Sequence, residues 1–377
     1  MLYPPELRGH ATIIIKASTF CHEAIVASFI SSSKTTRPMS LFRRSKTSSS
    51  DGSTRAIVTG SVAVGALITS LIVRKLRKDA RGGGDEAGPA LEAHVGEREI
   101  MEGRYRFYEH SGSGTPIVLL HSINAAGSSY EMKPIFDALV AETQRPVYAL
   151  EWFGFGLSDR PPVTYTPALF QRQLRRFLSE HVKEPADVIA YSLGAEFTVL
   201  TAESHPFLFR SLVLIVPTGL DADDSYGALR SGLVRAAEKS GIFELAFSRL
   251  ARPETLERFY REQIFAEGSP VPSDLVAYAT RTTRARGASN AAAAFIAGDL
   301  FSPADVLRAY KQVSVPMTII APSRGPSDIS SFERLGDLER SALASITVYR
   351  PESGFMPQFE APDVVRQIVD SVTTVQP

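Results

Sequence analysis

This chain has almost no cysteine or tryptophan, and it has no net charge. Its 377 residues include one cysteine and one tryptophan, and its 41 basic side chains are balanced by 41 acidic ones. The single thiol, Cys21, excludes a disulfide within the chain and a zinc site made of several cysteines. The balanced charge gives no indication of a nucleic-acid partner. Histidine is also scarce, with seven residues and none after His205, which removes the commonest proton acceptor from the C-terminal part of the chain.

The first 55 residues have the composition of a targeting segment or a disordered tail. They are rich in Ser, Thr, Lys and Arg, and their acidic residues are limited to Glu6, Glu23 and Asp51. No hydrophobic period is sustained, which is typical of both kinds of segment. A third interpretation is that translation starts at Met39. The composition therefore leaves organelle targeting, disorder and a later start as three alternatives.

An uncharged run begins at Ala56 and ends at Val73. About 18 apolar residues are just long enough to cross the hydrocarbon core of a bilayer. The run predicts a single membrane-spanning helix, and a buried helix or a signal-peptide core is the alternative. Slightly more basic residues follow the run than precede it, which favours a single-pass protein whose folded domain faces the cytoplasm. Residues 74–90, basic and then rich in glycine, are expected to be a flexible tether.

From residue 91 to the C terminus, the chain alternates short apolar runs with helical patterns. Short apolar runs are typical of strands buried on both faces, and the stretches between them place apolar residues at helical spacing. This alternation predicts an α/β fold with a mostly parallel sheet that helices cover on both faces. The predicted strands are 105–109, 116–121, 146–150, 188–191, 211–216, 317–320 and 346–349.

The alternation stops between Asp221 and Lys311. Several amphipathic helical patterns fill this stretch, and residues 291–295 are almost all small. A long insertion of this kind is expected to form a helical cap over one end of the sheet. An apolar underside would make the cap one wall of a lipophilic cavity, although the same residues would also serve to pack the cap onto the sheet.

The strand predicted at 188–191 leads directly into Ser192. Ala190 and Gly194 are small, and a helical pattern begins immediately afterwards. Strand, tight turn and helix in so few residues force the turn residue into a strained backbone conformation that large neighbours would not permit. The turn lifts the Ser192 hydroxyl clear of the sheet edge, at the positive end of a helix. A plain strand-to-helix turn with a surface serine is the alternative.

Three further motifs accompany this turn: L-L-H-S-I-N at 119–124, E-W-F-G-F-G-L-S-D-R-P at 151–161 and S-G-F-M-P-Q-F-E-A-P at 353–362. In this order along the chain, the four motifs resemble the α/β-hydrolase fold superfamily, in particular its esterase, lipase and epoxide-hydrolase-like members. The resemblance extends from about residue 104 to residue 372. It implies an α/β-hydrolase fold with a helical cap, a ligand that is a lipophilic small molecule or an acyl ester, and no cofactor or metal.

The resemblance also implies roles for individual residues. Ser192 stands at the nucleophile position, and the backbone amides of Leu193 and Ile123 stand where the superfamily binds the oxyanion. Backbone donors do not depend on side-chain type, so these two amides tolerate sequence change better than catalytic side chains do. Ser122 replaces a glycine of the superfamily in the loop before Ile123.

The general base is missing from this pattern. The superfamily places a histidine after the glycine of the last motif, whereas Phe355 follows Gly354 in this chain. A serine hydroxyl is a poor nucleophile unless an imidazole takes its proton, and phenylalanine neither accepts nor donates one. His121, which by resemblance supports the loop that carries Ile123, is the candidate for an alternative base.

The acid of the triad is also displaced. Arg324 stands at the spacing where the superfamily places an acidic residue after the strand at 317–320. Asp328, four residues later, is the nearest carboxylate and the candidate acid. The alternative role for Asp328 is to cap the helix that follows it.

The sequence supports two functions. The first is a membrane-tethered protein of serine-esterase or lipase ancestry whose chemistry is impaired or non-hydrolytic, and which binds a lipophilic small molecule or a partner under its cap. The second is an active serine hydrolase of acyl esters that uses Ser192 with a non-standard base such as His121.

Overall fold

A sheet of eight strands forms the centre of the molecule. The computed structural model of the chain describes residues 87–220, 234, 242–302, 306–325 and 332–373. The strand order is β1-β2-β4-β3-β5-β6-β7-β8, in which β2 is antiparallel to both of its neighbours and all pairs from β4 to β8 are parallel. The strands are β1 (His94–Ile100), β2 (Gly103–His110), β3 (Ile117–Leu120), β4 (Val147–Leu150), β5 (Ala186–Tyr191), β6 (Phe209–Ile215), β7 (Met317–Ile320) and β8 (Ile346–Tyr349). This arrangement confirms the predicted α/β fold with a mostly parallel sheet.

Burial explains why the central strands have so little polar character. Every residue of β3 and β5 is buried, as expected for parallel strands that helices cover on both faces. The edge strand β8 is half-buried and alternates more polar residues with apolar ones. The apolar runs that predicted the strands therefore mark the layer that is covered on both faces.

Helices follow the strands in the order that a parallel sheet requires. They are α1 (Lys133–Glu142), α2 (Pro167–Arg176), α3 (Leu193–Ser204), α4 (Ile242–Leu250), α5 (Pro253–Phe259), α6 (Ser273–Thr283), α7 (Ala288–Ala297), α8 (Val306–Gln312), α9 (Leu335–Ser341), α10 (Pro357–Glu360) and α11 (Pro362–Thr373). Two of them continue as π-helical turns, α2 through Phe177–Val182 and α5 through Tyr260–Ile264.

The folded domain begins earlier along the chain than expected. Strand β1 was not predicted, because most of its residues are exposed and its composition is polar. Before it, Ala90 and Leu91 are buried, and the Ala90 amide donates a hydrogen bond of 2.7 Å to the Tyr108 hydroxyl. The C-terminal end of the stretch expected to be a tether is therefore in contact with the domain through Ala90.

The cap is shorter than the stretch predicted for it. Helix α8 packs against α3, one of the helices that cover the sheet. The Tyr310 hydroxyl donates a hydrogen bond of 2.9 Å to the Thr218 carbonyl, and Arg308 lies 3.7 Å from Glu203. Helix α8 thus completes the layer over the sheet, and α4 to α7 are the cap helices among the residues of this stretch that the structure describes.

Several predictions concern residues outside the described ranges. These are the targeting or disordered segment, the run from Ala56 to Val73, and the candidate acid Asp328. Among the helices of the described ranges, none has the length and apolar character needed to cross a membrane.

Candidate active site around Ser192

Ser192 occupies a strained turn between β5 and α3. Its backbone adopts φ 56° and ψ −126°, a conformation that is rare for a residue with a side chain. The Ser192 amide donates to the Ile215 carbonyl at 2.9 Å, and the Ala195 amide donates to the Ser192 carbonyl at 2.9 Å. A β-carbon added at Gly194 would lie 2.5 Å from the His121 carbonyl oxygen, so only glycine fits there. The turn therefore has the geometry of a nucleophile elbow.

The loop of residues 121–126, termed the oxyanion loop, lies beside this turn. Strands β3 and β5 are parallel neighbours that pair Leu120 with Ala190, so the chain leaves both strands at the same edge of the sheet. Leu193 begins α3, and a first-turn amide has no acceptor within its helix. The Ile123 amide forms no hydrogen bond with any residue of the described ranges. The Leu193 and Ile123 amides thus lie in segments that leave the sheet at the same edge, and neither has an acceptor among the described residues outside its own helix.

A buried carboxylate holds the oxyanion loop. Glu131 accepts hydrogen bonds from the Ser122 amide at 2.9 Å, the Ser122 hydroxyl at 3.0 Å and the Asn124 side-chain amide at 3.1 Å. The side-chain oxygen of Asn124 accepts from the Ala126 amide at 2.6 Å, and the backbone carbonyl oxygen of Glu131 accepts from the Gln358 side chain at 3.0 Å. Sequence reasoning assigned Glu131 no role at the site. The replacement of glycine by Ser122 was the available signal, because its hydroxyl adds a bond to the same carboxylate.

Glu131 interacts electrostatically with His121, Tyr191 and Tyr260. Burial raises the pKa of the Glu131 carboxyl, and His121 and the hydrogen bonds from Ser122 and Asn124 oppose that rise. Burial and, after it, Glu131 raise the pKa of Tyr191, which directly precedes Ser192. The same two causes raise the pKa of Tyr260, in the π-helical turn of the cap. Both phenols are therefore neutral.

His121 lies behind the oxyanion loop with its ring fully buried. Its Nδ1 is 2.6 Å from the Ser122 carbonyl oxygen, to which it donates. Its Nε2 is 3.2 Å from the Trp152 amide and 3.1 Å from a carboxylate oxygen of Glu151. Both ring nitrogens are engaged with groups other than Ser192. These contacts join the loop of residues 121–126 to the 151–161 motif.

The backbone of Phe355 is hydrogen-bonded to two other segments of the site. The Tyr191 hydroxyl donates to the Phe355 carbonyl at 2.6 Å, and the Phe355 amide donates to the Ile264 carbonyl at 2.7 Å. The amide of Gly354 donates to Glu360 at 3.1 Å. The residue at the expected base position is thus tied to the residue that precedes Ser192, and its side chain is almost completely buried.

Gly325, and not Arg324, lies against the Phe355 side chain. A β-carbon added at Gly325 would lie 2.1 Å from Cζ of Phe355. Arg324 is exposed and pairs with Glu352 at 2.7 Å on the surface. Arg324, which stands at the spacing of the superfamily's acid, thus carries its charge on the surface beside Glu352.

The cap brings small and aromatic residues to the oxyanion loop. An apolar cluster in the cap packs against Ala125, and its members include Phe247, Ala292 and Ile296. The cap is also held to the 151–161 motif, since the Asn290 side chain donates to a backbone carbonyl of that motif at 3.2 Å. The surroundings of the oxyanion loop on the cap side are therefore apolar. Across the described residues, no three His, Cys, Asp or Glu side chains form a group that could hold a metal ion.

A mostly parallel sheet of this strand order, with a strained serine turn after β5, defines the α/β-hydrolase class of proteins. A family model described as the alpha/beta hydrolase family matches residues 117–368. That match covers well over half of the sequence, so the chain belongs to the alpha/beta hydrolase family.

Curated relatives match a smaller region. A probable alcohol acetyltransferase of Cyberlindnera fabianii is 32% identical over 102 residues, which are 26% of this chain and 26% of that protein. Ethanol acetyltransferase 1 of Kluyveromyces lactis is 27% identical over 151 residues, 40% of this chain and 38% of that protein. The chain thus spans less than half the length of these relatives.

Solved structures share the fold. A putative lipase from Acinetobacter baumannii superposes with a TM-score of 0.58 at 19% identity, covering 81% of this chain and 97% of that one. A thermophilic esterase from Thermogutta terrifontis has a TM-score of 0.56 at 17% identity, covering 76% of this chain and 100% of that one. At such identities the likeness concerns the fold alone.

Proposed function

We propose that this protein binds a lipophilic acyl compound at Ser192 and does not turn it over efficiently. The observation that carries the proposal is the replacement of the general base by Phe355, whose buried ring lies on Gly325. Serine chemistry needs a proton acceptor beside the hydroxyl and a carboxylate to orient it. Loss of a triad member lowers the rate on the order of ten-thousandfold, because the triad acts as a unit.

The described neighbours do not supply an obvious substitute base. Both nitrogens of His121 already have partners in the oxyanion loop and the 151–161 motif. Arg324 is cationic and directed to the surface. The retained parts of the site are those that bind: a strained serine turn, two free backbone amides and an apolar cap surface beside Ala125.

The second candidate is acyl transfer through Ser192. Two observations favour it, namely the preserved elbow geometry and the names of the yeast relatives, which are alcohol acetyltransferases. This candidate needs a base, which the described residues would have to provide by a rearrangement of His121. It also needs an acyl donor and an alcohol in place of water at the same serine.

A fluorophosphonate probe separates the two candidates, because its reaction requires an activated serine. The full chain is incubated with the probe, and labelling of Ser192 is followed by mass spectrometry with Ser192→Ala as the control. The proposal expects labelling no faster than for exposed serines of the same chain. Rapid and stoichiometric labelling of Ser192 would overturn it in favour of acyl transfer or hydrolysis.

Binding is measured in parallel by calorimetry with methyl octanoate. The proposal expects Ser192→Ala to bind this ester within about threefold of the unmodified chain, because the interaction energy comes from apolar burial and backbone donors. An absence of binding to both proteins at millimolar ester would contradict the proposed function.

A further inference from the structure

The side chain of Glu131 places a carboxylate directly behind the donors that would bind a ligand oxygen. It accepts from the Ser122 amide at 2.9 Å, and Ser122 is the residue before Ile123. All three of its side-chain partners are donors, which is the arrangement that a deprotonated carboxylate satisfies. A ligand oxygen bound to the Ile123 amide would lie on the order of 6–8 Å from this charge, given ordinary hydrogen-bond lengths and residue spacing.

We infer that the site at Ser192 selects uncharged carbonyl compounds, such as esters and ketones, and discriminates against carboxylates of the same chain length. This inference rests on the proposed function, since it specifies the ligand class of the same site. The physical cause is repulsion between Glu131 and an anionic ligand in a buried setting, where charges are screened less than in water. At that separation the repulsion corresponds to a preference of about tenfold or more for the uncharged ligand.

Three other titratable groups face Glu131, and two of them are neutral phenols. His121, at the end of β3, lowers the pKa of Glu131 against the effect of burial, and its Nε2 lies 3.1 Å from a carboxylate oxygen of Glu151. Tyr191, at the end of β5, and Tyr260, in the cap, are both neutral phenols. The negative field of Glu131 therefore reaches the turn that carries Ser192 and the cap above it.

The same repulsion bears on catalysis. Glu131 would repel an oxyanion that formed at the Ile123 and Leu193 amides, just as it would repel a bound carboxylate. A buried carboxylate behind the donors thus weakens the stabilisation that an oxyanion hole gives to the negative charge of the transition state. The site would hold a neutral carbonyl group and gain little when that group became an anion, which agrees with a binding role.

The test compares three probes whose hydrocarbon tails are similar in length: methyl octanoate, 2-nonanone and octanoate. Dissociation constants are measured by calorimetry with the full chain at pH 8.5, because ionisation of a group with a raised pKa is more complete at alkaline pH. The expected result is that the ester and the ketone bind about tenfold or more tightly than octanoate. Octanoate binding as tight as that of the ketone would overturn the inference and leave the proposed function intact.

Variants then assign the preference to Glu131. Glu131→Gln should bring the ratio of the ketone and octanoate dissociation constants close to one, even if loosening of the loop weakens both ligands. Ser122→Ala disturbs the same loop but keeps the carboxylate, so the preference should persist. The exposed Glu339→Gln serves as the control for net charge. An unchanged ratio in Glu131→Gln would refute the inference, and if this variant fails to fold, the ratio in the unmodified chain decides alone. Failure of every probe to bind the unmodified chain would refute the proposed function and this inference with it.

Discussion

The ring of Phe355 rests on the backbone of Gly325, at the place where a β-carbon on residue 325 would be 2.1 Å from Cζ. The family resemblance expects a histidine at position 355 and, after β7, an acid to orient it. In this protein an aromatic ring and a residue without a side chain pack together instead. Each depends on the other, because a larger residue at 325 would displace the ring. A return to triad chemistry therefore requires changes at both positions.

Gly325→Ala is expected to destabilise the protein by about 1–3 kcal/mol, which is typical of overpacking. The penalty is steric, because Gly325 does not adopt the positive φ that favours glycine. In a Phe355→Ala background the same change should cost much less, since the ring that it meets has been removed. Urea unfolding of the four proteins measures this coupling.

Gly88→Ala is the control for that cycle, because no atom lies within 4 Å of the added carbon. It should change the free energy of unfolding by less than about 0.5 kcal/mol in both backgrounds. An equal cost of Gly325→Ala with and without the Phe355 ring would show that the two residues are not coupled.

Phe355→His alone is expected to raise hydrolysis of p-nitrophenyl butyrate by less than about tenfold, because an imidazole without an orienting acid is a poor base. Combining it with Gly325→Asp supplies a carboxylate at the position that faces residue 355. The double variant should exceed the product of the two single effects, and adding Ser192→Ala should abolish the gain. High activity in Phe355→His alone would mean that another carboxylate already orients residue 355.

The raised pKa of Glu131 predicts how stability changes with pH. The folded protein holds this proton more tightly than the unfolded chain, so the stability that the proton contributes is complete below the ordinary pKa of 4.5. That contribution is lost as the pH rises through the folded pKa. The free energy of unfolding should therefore fall with pH across this interval, by at most about 1.4 kcal/mol per pH unit from this residue.

The difference in pH dependence between the unmodified chain and Glu131→Gln isolates this contribution from those of other groups. The variant should have the shallower fall, whereas Glu339→Gln should follow the unmodified chain. Parallel curves for the unmodified chain and Glu131→Gln would show that Glu131 does not hold a proton more tightly in the folded state.

Much of the sheet was predictable because parallel strands buried on both faces have continuous apolar sequences. The runs at 317–320 and 346–349 coincide with β7 and β8, and the strand before Ser192 lies within β5. Strand β1 was missed for the opposite reason. It lies at the sheet edge with most residues exposed, so its pairing with β2 left no hydrophobic period to detect.

The site was predictable to the extent that it depends on local backbone geometry. The strained turn at Ser192 follows from small neighbours and from a strand that runs into a helix, and both are visible in the sequence. Glu131 was not recognised, since its bonds to Ser122 and Asn124 join residues whose approach depends on the fold of the loop between β3 and α1.

The amino-acid sequence by itself determined the layered α/β architecture and the absence of a histidine where the general base would stand, because both depend on the kinds of residues and their order. The tertiary structure alone decided which residues meet at the site. It placed Gly325 under Phe355, directed Arg324 to the surface and set Glu131 behind the oxyanion loop. The reason is that loops from separate strands converge at one edge of the sheet, and a shift of a single residue in any loop changes which side chain faces the serine.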